Sequence, residues 1–159
     1  MDKYIYIGIA AAIVLFILYQ LITGRRNRRI KLLARVRASY GAVPTREYTE
    51  EELKKIRTYY EKIRQDGDFC IDDITWNDLD MDAIFAAMNH TFSSAGEEVL
   101  YDILRRPSFS RAELAERDRV ITYFQTHAEK REAISMDYAA IGRTKKYSLI
   151  EFLGMFRQL

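Results

Sequence analysis

The chain has 159 residues, 48% of them apolar and 30% charged, with a formal net charge of +2. That length allows one modest domain with an appendage, and the single Cys70 excludes an internal disulfide, which fits a reducing compartment. The charge is split: residues 25–37 hold seven Lys/Arg and no acid, while residues 38–159 hold 17 bases against 22 acids, a net −5 that makes this part a poor electrostatic partner for nucleic acid.

Helical periodicities dominate and alternating strand patterns are scarce, so the expected class is all-α. Tyr4 to Thr23 is a run of 20 residues without a charge. As a helix it would be roughly 30 Å long, the thickness of a bilayer's hydrocarbon core. Tyr4, Tyr6 and Tyr19 stand near its ends, where amphipathic rings suit an interface. The basic cluster follows the run, and no small-residue site closes it, so the run reads as an uncleaved anchor and not as a signal peptide. Arg25, Arg26, Arg28, Arg29 and Lys31 then act as topology determinants. The expectation is a single-pass membrane protein with its N-terminus outside and its soluble part cytoplasmic. An anionic-lipid or nucleic-acid role for residues 25–37 is the competing reading.

Gly41 and Pro44 mark a linker over residues 38–48. The boundaries that follow are 1–24 anchor, 25–48 basic segment and linker, and 49–159 helical domain. Thr49 with Glu52 is a capping box, and Leu53, Ile56, Tyr60 and Ile63 recur at helical spacing towards Gly67. Asp68 to Thr75 reads as irregular or briefly extended. Asp78 or Asp80 can cap a helix with Ile84, Phe85 and Met88 on its apolar face. Ser94 with Glu97 predicts a helix bearing Val99, Leu100, Ile103 and Leu104 on one face and stopped by Pro107. Ser110 with Glu113 opens another, lined by Leu114, Ile121 and Phe124. Residues 127–141 form a helix with Ile134, Tyr138 and Ile141 on one face, ending at Gly142. A basic turn, Arg143 to Lys146, leads to Ser148, which caps a final apolar helix. Its face of Leu149, Phe152, Leu153 and Phe156 calls for a partner, met simply if the chain is the N-terminal piece of a longer protein.

The run Thr91, Ser93, Gly96, Leu100, Leu104 and Pro107, then Leu114, Glu116, Arg117 and Ile121, resembles the start of the helical core domain of MutS-family ATPases. The family pattern is T-x-[TS]-x-x-G-x-x-x-L-x-x-x-L-x-x-P followed by L-x-E-R-x-x-x-I, and the match runs without a gap from about Met88 to Phe124. Glu98 stands where the family often has Arg, and Ile103 where it often has Trp. The resemblance implies a core that transmits between a DNA-clamping region and a C-terminal nucleotide-binding domain. It therefore implies ATP and Mg²⁺ for the full-length protein, and DNA for that protein alone. The N-terminal run takes the place of the domain that reads mismatches, so mismatch repair does not follow.

The chain itself carries no catalytic site, cofactor site or metal site in this reading. Asp78-x-Asp80-x-Asp82 fits the first positions of a calcium loop, but Ala83 and Asn89 replace the required glycine and glutamate. Acids at a helix start explain the run. Asn89-His90-Thr91 spells a glycosylation sequon that a cytoplasmic location would leave inert. His90 and His127 lack partners at ligand spacing, Ser93 and Ser94 lack the frame of a nucleophile elbow, and no phosphate loop occurs. The alternative to the MutS-like reading is a self-contained, membrane-tethered helical adaptor. Expected partners are the membrane, the rest of the chain or another protein at the C-terminal helix, and a second copy in a homodimer.

Overall fold

The computed structural model describes residues 2–65, 67–144 and 147–156, without the side chains of 2–5, 8–12 and 156. Among the described residues the chain is all-α: α1 Asp2–Ser39, α2 Glu50–Ile63, α3 Asp73–Asp78, α4 Met81–Met88, α5 Ser94–Arg105, α6 Arg111–Thr126, α7 Ala128–Ile141 and α8 Leu149–Phe156.

Most helix starts follow from local chemistry. Thr49 and Glu52 form the full capping box of α2, which ends at Ile63, short of Gly67. Asp72 accepts the Thr75 N–H at 2.7 Å, so part of the stretch expected to be irregular is the first turn of α3. Asp80 precedes α4 in a left-handed conformation (φ 48°) and makes no side-chain cap bond. Ser110 accepts the Glu113 N–H, but the Glu113 carboxylate turns to Ser108, so only half of that box forms. Ser148 and Glu151 cap α8 reciprocally. Gly142 ends α7 at φ 73°, where a side chain would be strained.

The core is aromatic and small. Ile56 and Tyr60 of α2, Trp76 of α3, Met81 and Phe85 of α4 and Tyr101 of α5 are buried together, with Leu53, Ile71, Leu100 and Leu104 packed partly against them. The Tyr101 ring centre lies 4.8 Å from Trp76 and 5.7 Å from Phe85, in the tilted and edge-on arrangements that aromatic pairs favour. On α4 the inward face is Met81 and Phe85, while Ile84 and Met88 are exposed. α6 and α7 form a hairpin in which no residue is buried. The last turn of α1 leans on α7, with Val36 buried, Arg37 paired with Glu132 at 2.8 Å, and Arg131 over the Tyr40 ring.

The expected membrane anchor needs correcting. Among the described residues no helix is long and apolar enough to cross a membrane. α1 does not stop at Gly24 but runs through the basic cluster to Ser39, so one helix joins an apolar half to a charged half. Tyr4, Ile5 and residues 8–12 of the expected span lie outside the described side chains. A single-pass protein with a cytoplasmic domain is therefore not supported, and Arg25, Arg26, Arg28, Arg29 and Lys31 lose their role as topology determinants.

Candidate functional site

The centre of the molecule is the charged face of α5. Ser94, Glu97, Glu98, Tyr101, Asp102 and Arg105 recur at the three- and four-residue spacing of one helix face, and all are buried. Glu97 is 0% exposed and Arg105 1%, while Val99 is 43% and Ile103 37% exposed. The helix is thus turned over relative to its hydropathy: the apolar stripe that should face inward lies at the edge of the core.

Counter-charges from distant segments make this arrangement tolerable. Arg46 from the linker donates to Glu97 Oε1 at 2.5 Å, Arg143 from beyond α7 approaches the same oxygen at 2.8 Å, and the Tyr48 hydroxyl donates to it at 3.4 Å. Burial, helped by Glu97, pushes the Tyr48 hydroxyl's pKa up. Glu98 Oε1 accepts the Leu149 N–H at 2.7 Å and so sits at the N-terminus of α8, where a carboxylate meets the helix dipole favourably. Burial pushes Glu98 above the usual carboxylate range, against the Leu149 N–H and Lys55, which favour its charge. The other oxygens of both carboxylates, Glu97 Oε2 and Glu98 Oε2, are buried without a hydrogen-bond partner. Ser94 completes the seam: its N–H donates to Gly142 O, and its hydroxyl accepts the Thr144 N–H. Lys55 donates to Thr144 O at 2.7 Å.

At the other end of α5 the Arg105 guanidinium lies 4.1 Å from the Trp76 ring centre, a cation–π contact sheltered from water. It donates to Tyr101 Oη and to Ile71 O, and pairs with Asp73 at 2.9 Å. Arg57 of α2 reaches the same Asp73 and the same Tyr101 hydroxyl. Asp102 and Arg106 close a bidentate pair. The contacts with Ile71, Asp73, Trp76 and Arg57 fasten other segments to α5, while Arg105–Tyr101 and Asp102–Arg106 stay within the helix and its C-cap. The chemistry the described residues of the site support is latching of the linker, α2, residues 142–144 and α8 onto one helix.

The first half of the singled-out motif converges and the second does not. Ser93 caps α5 by accepting the Gly96 N–H, displacing Ser94, the expected cap, into the seam with Thr144. A Cβ on Gly96 would lie 2.8 Å from Thr91 Cβ, so threonine and glycine form one close contact. Leu100 and Leu104 flank the core, and Pro107 follows the end of α5. Leu114 is 48% and Ile121 56% exposed, Glu116 pairs with Arg119 and not with Arg117, and Arg117 is exposed. Sequence reading missed Arg46, Tyr48, Arg105, Arg143 and the inward turn of Glu97 and Glu98. The signal was present as a second, polar stripe at helical spacing, which ordinarily marks a solvated face.

No family model, curated protein or solved structure matches the chain. Among the described residues no group of three His, Cys, Asp or Glu could hold a metal ion. Asp82 of the acidic run accepts the Trp76 indole N–H at 2.9 Å, a structural role. Asn89 is buried, donating to Tyr48 Oη and accepting from Thr91, so the sequon's amide is engaged in the fold.

Proposed function

We propose that this chain supplies the start of the helical core of a MutS-like ATPase, with nucleotide chemistry belonging to a longer protein. The observation that carries the reading is the Thr91–Ser93–Gly96 unit. Its three residues are the most closely spaced part of the resembling pattern, and each has a specific task here: contact, cap and clearance. Leu100 and Leu104 continue the pattern along α5, and Pro107 follows its end. The L-x-E-R half contributes nothing further, since Glu116 and Arg117 are exposed and take separate paths.

The reading implies that the reading frame continued past Leu159 encodes a G-x-x-x-x-G-K-[ST] phosphate loop. The protein made from it should hydrolyse ATP with Mg²⁺, and the 159-residue chain should not. A stop codon with no such neighbour, or a longer protein without ATPase activity, sinks the proposal. It would leave the second reading, a helical protein-interaction module. That reading is favoured by the apolar groove of about 390 Å³ between α5 and α7, lined by Phe92, Val99, Leu100, Ile103 and Tyr138.

A further inference from the structure

Three cavities meet at His90 and Phe92, in the connection between α4 and α5. One is the apolar groove between α5 and α7. A second, beside Tyr40, contains Glu132, which already pairs with Arg37. The third, of about 530 Å³, is walled by arginines from three separate segments: Arg35 of α1, Arg46 of the linker and Arg143 beyond α7. None of the described residues that line it is an acid. Its size lies within the range of small-molecule sites.

The cationic wall is held in place from behind. Glu97, buried beneath it, takes Arg46 at 2.5 Å and Arg143 at 2.8 Å on one oxygen, yet the two arginine side chains stay 32% and 37% exposed. Arg143 also donates to Thr91 O, and Gly142 at φ 73° turns the chain so that it follows α7 directly. Arg46 reaches Glu52 at 2.7 Å on its other side. Three guanidiniums against the two carboxylates Glu97 and Glu52 leave a surplus of one positive charge. Leu32, Arg35 and Ser39 recur at the spacing of one face of α1 and close the cavity opposite. A planar carboxylate is satisfied by one guanidinium fork, whereas the three oxygens of a phosphate can accept from donors on three sides. Leu32, Val43, Phe92 and Ala139 line the rest, which suits an apolar body attached to that group. We propose that this cavity binds a phosphate monoester with an apolar body. The site rests on the cavity and not on the MutS-like reading.

The test is titration of the full chain with phenyl phosphate, followed by calorimetry, with benzoate as the carboxylate of matching body. Phenyl phosphate should saturate one site per chain, at least about tenfold more tightly than benzoate. Arg46 and Arg143 also hold Glu97, so the informative variants lie elsewhere on the wall. Arg35→Gln should weaken binding at least about tenfold through loss of a charge-assisted contact. Val43 is 78% exposed at the rim, so Val43→Asp should abolish binding by repulsion with the urea midpoint unchanged, and Val43→Ser should leave binding intact. A free ester and a lipid headgroup present the same group. Phenyl phosphate binding that is displaced by phosphatidylcholine vesicles containing phosphatidic acid assigns the site to a headgroup, and binding that they leave unchanged assigns it to a free ester. No saturable binding of phenyl phosphate overturns the proposal. So does benzoate binding as tightly, or binding that survives both Arg35→Gln and Val43→Asp. ATPase activity in a longer protein bears on none of these outcomes, so the two proposals fail separately.

Discussion

The α2–α5 body and the α6–α7 hairpin are built from similar amounts of apolar sequence and end differently. The body closes around Trp76, Phe85 and Tyr101 and fastens its charges inside. The hairpin has equally regular helices and buries no residue. Periodicity therefore specifies that a helix forms, while burial depends on whether another segment brings a complementary surface. For α5 those surfaces arrive from residues 46–48, 142–144 and 149; for α6 little arrives besides α7.

The contrast can be broken most sharply in the core. Phe85→Ala should cost about 3–5 kcal/mol in urea unfolding, the usual range for an aromatic removed from a closed core. Glu97→Ala should cost about 2–3 kcal/mol, because it leaves Arg46 and Arg143 without their shared acceptor. A cost near zero there would mean that the latch is ornamental. Gly96→Ala should cost about 1–3 kcal/mol through its contact with Thr91. On the hairpin, Leu114→Ala and Ile121→Ala should each stay within about 0.5 kcal/mol. If either equals Phe85→Ala, the hairpin is packed and the comparison fails.

Acidity sharpens the same contrast. Burial raises the Glu98 pKa, so the folded body holds that proton more tightly than the unfolded chain does. Its contribution to stability is complete below the unfolded value and is lost as pH rises through the raised one. The hydrogen bond from Arg37 holds Glu132 low at the hairpin, so that contribution is present above the unfolded value and is lost as pH falls through the depressed one. Urea midpoints across pH should therefore lose their higher-pH decline in Glu98→Gln and soften their acid decline in Glu132→Gln. Both variants flattening the same limb would contradict the assignment.

Much of the secondary structure was legible because it is locally encoded. The caps at Thr49, Ser110 and Ser148, the stop before Pro107 and the left-handed Gly142 each depend on neighbours a few residues away. The orientation of α5 was not legible, because burying Glu97 depends on Arg46 and Arg143, which lie about fifty residues to either side. The site was half legible for the same reason. Thr91, Ser93 and Gly96 act on one another across five residues, while Leu114 and Ile121 were expected to face a core that does not reach them. The anchor reading took a local composition for an element, and the helix that forms is longer than the run that suggested it.

The overturned face of α5 has a consequence for how this sequence can drift. In most helices, charged positions are where substitutions accumulate freely and leucine-like positions resist them. Here the order is reversed over twelve residues. Glu97 and Arg105 are the fixed points, each tied to a partner in another segment, and Val99 and Ile103 are free to become polar. A substitution at Arg46 or Arg143 then becomes permissible mainly when Glu97 changes with it, so these three positions should vary as a set. A scan of all single substitutions would show α5 as a helix whose tolerance map is the photographic negative of its hydropathy.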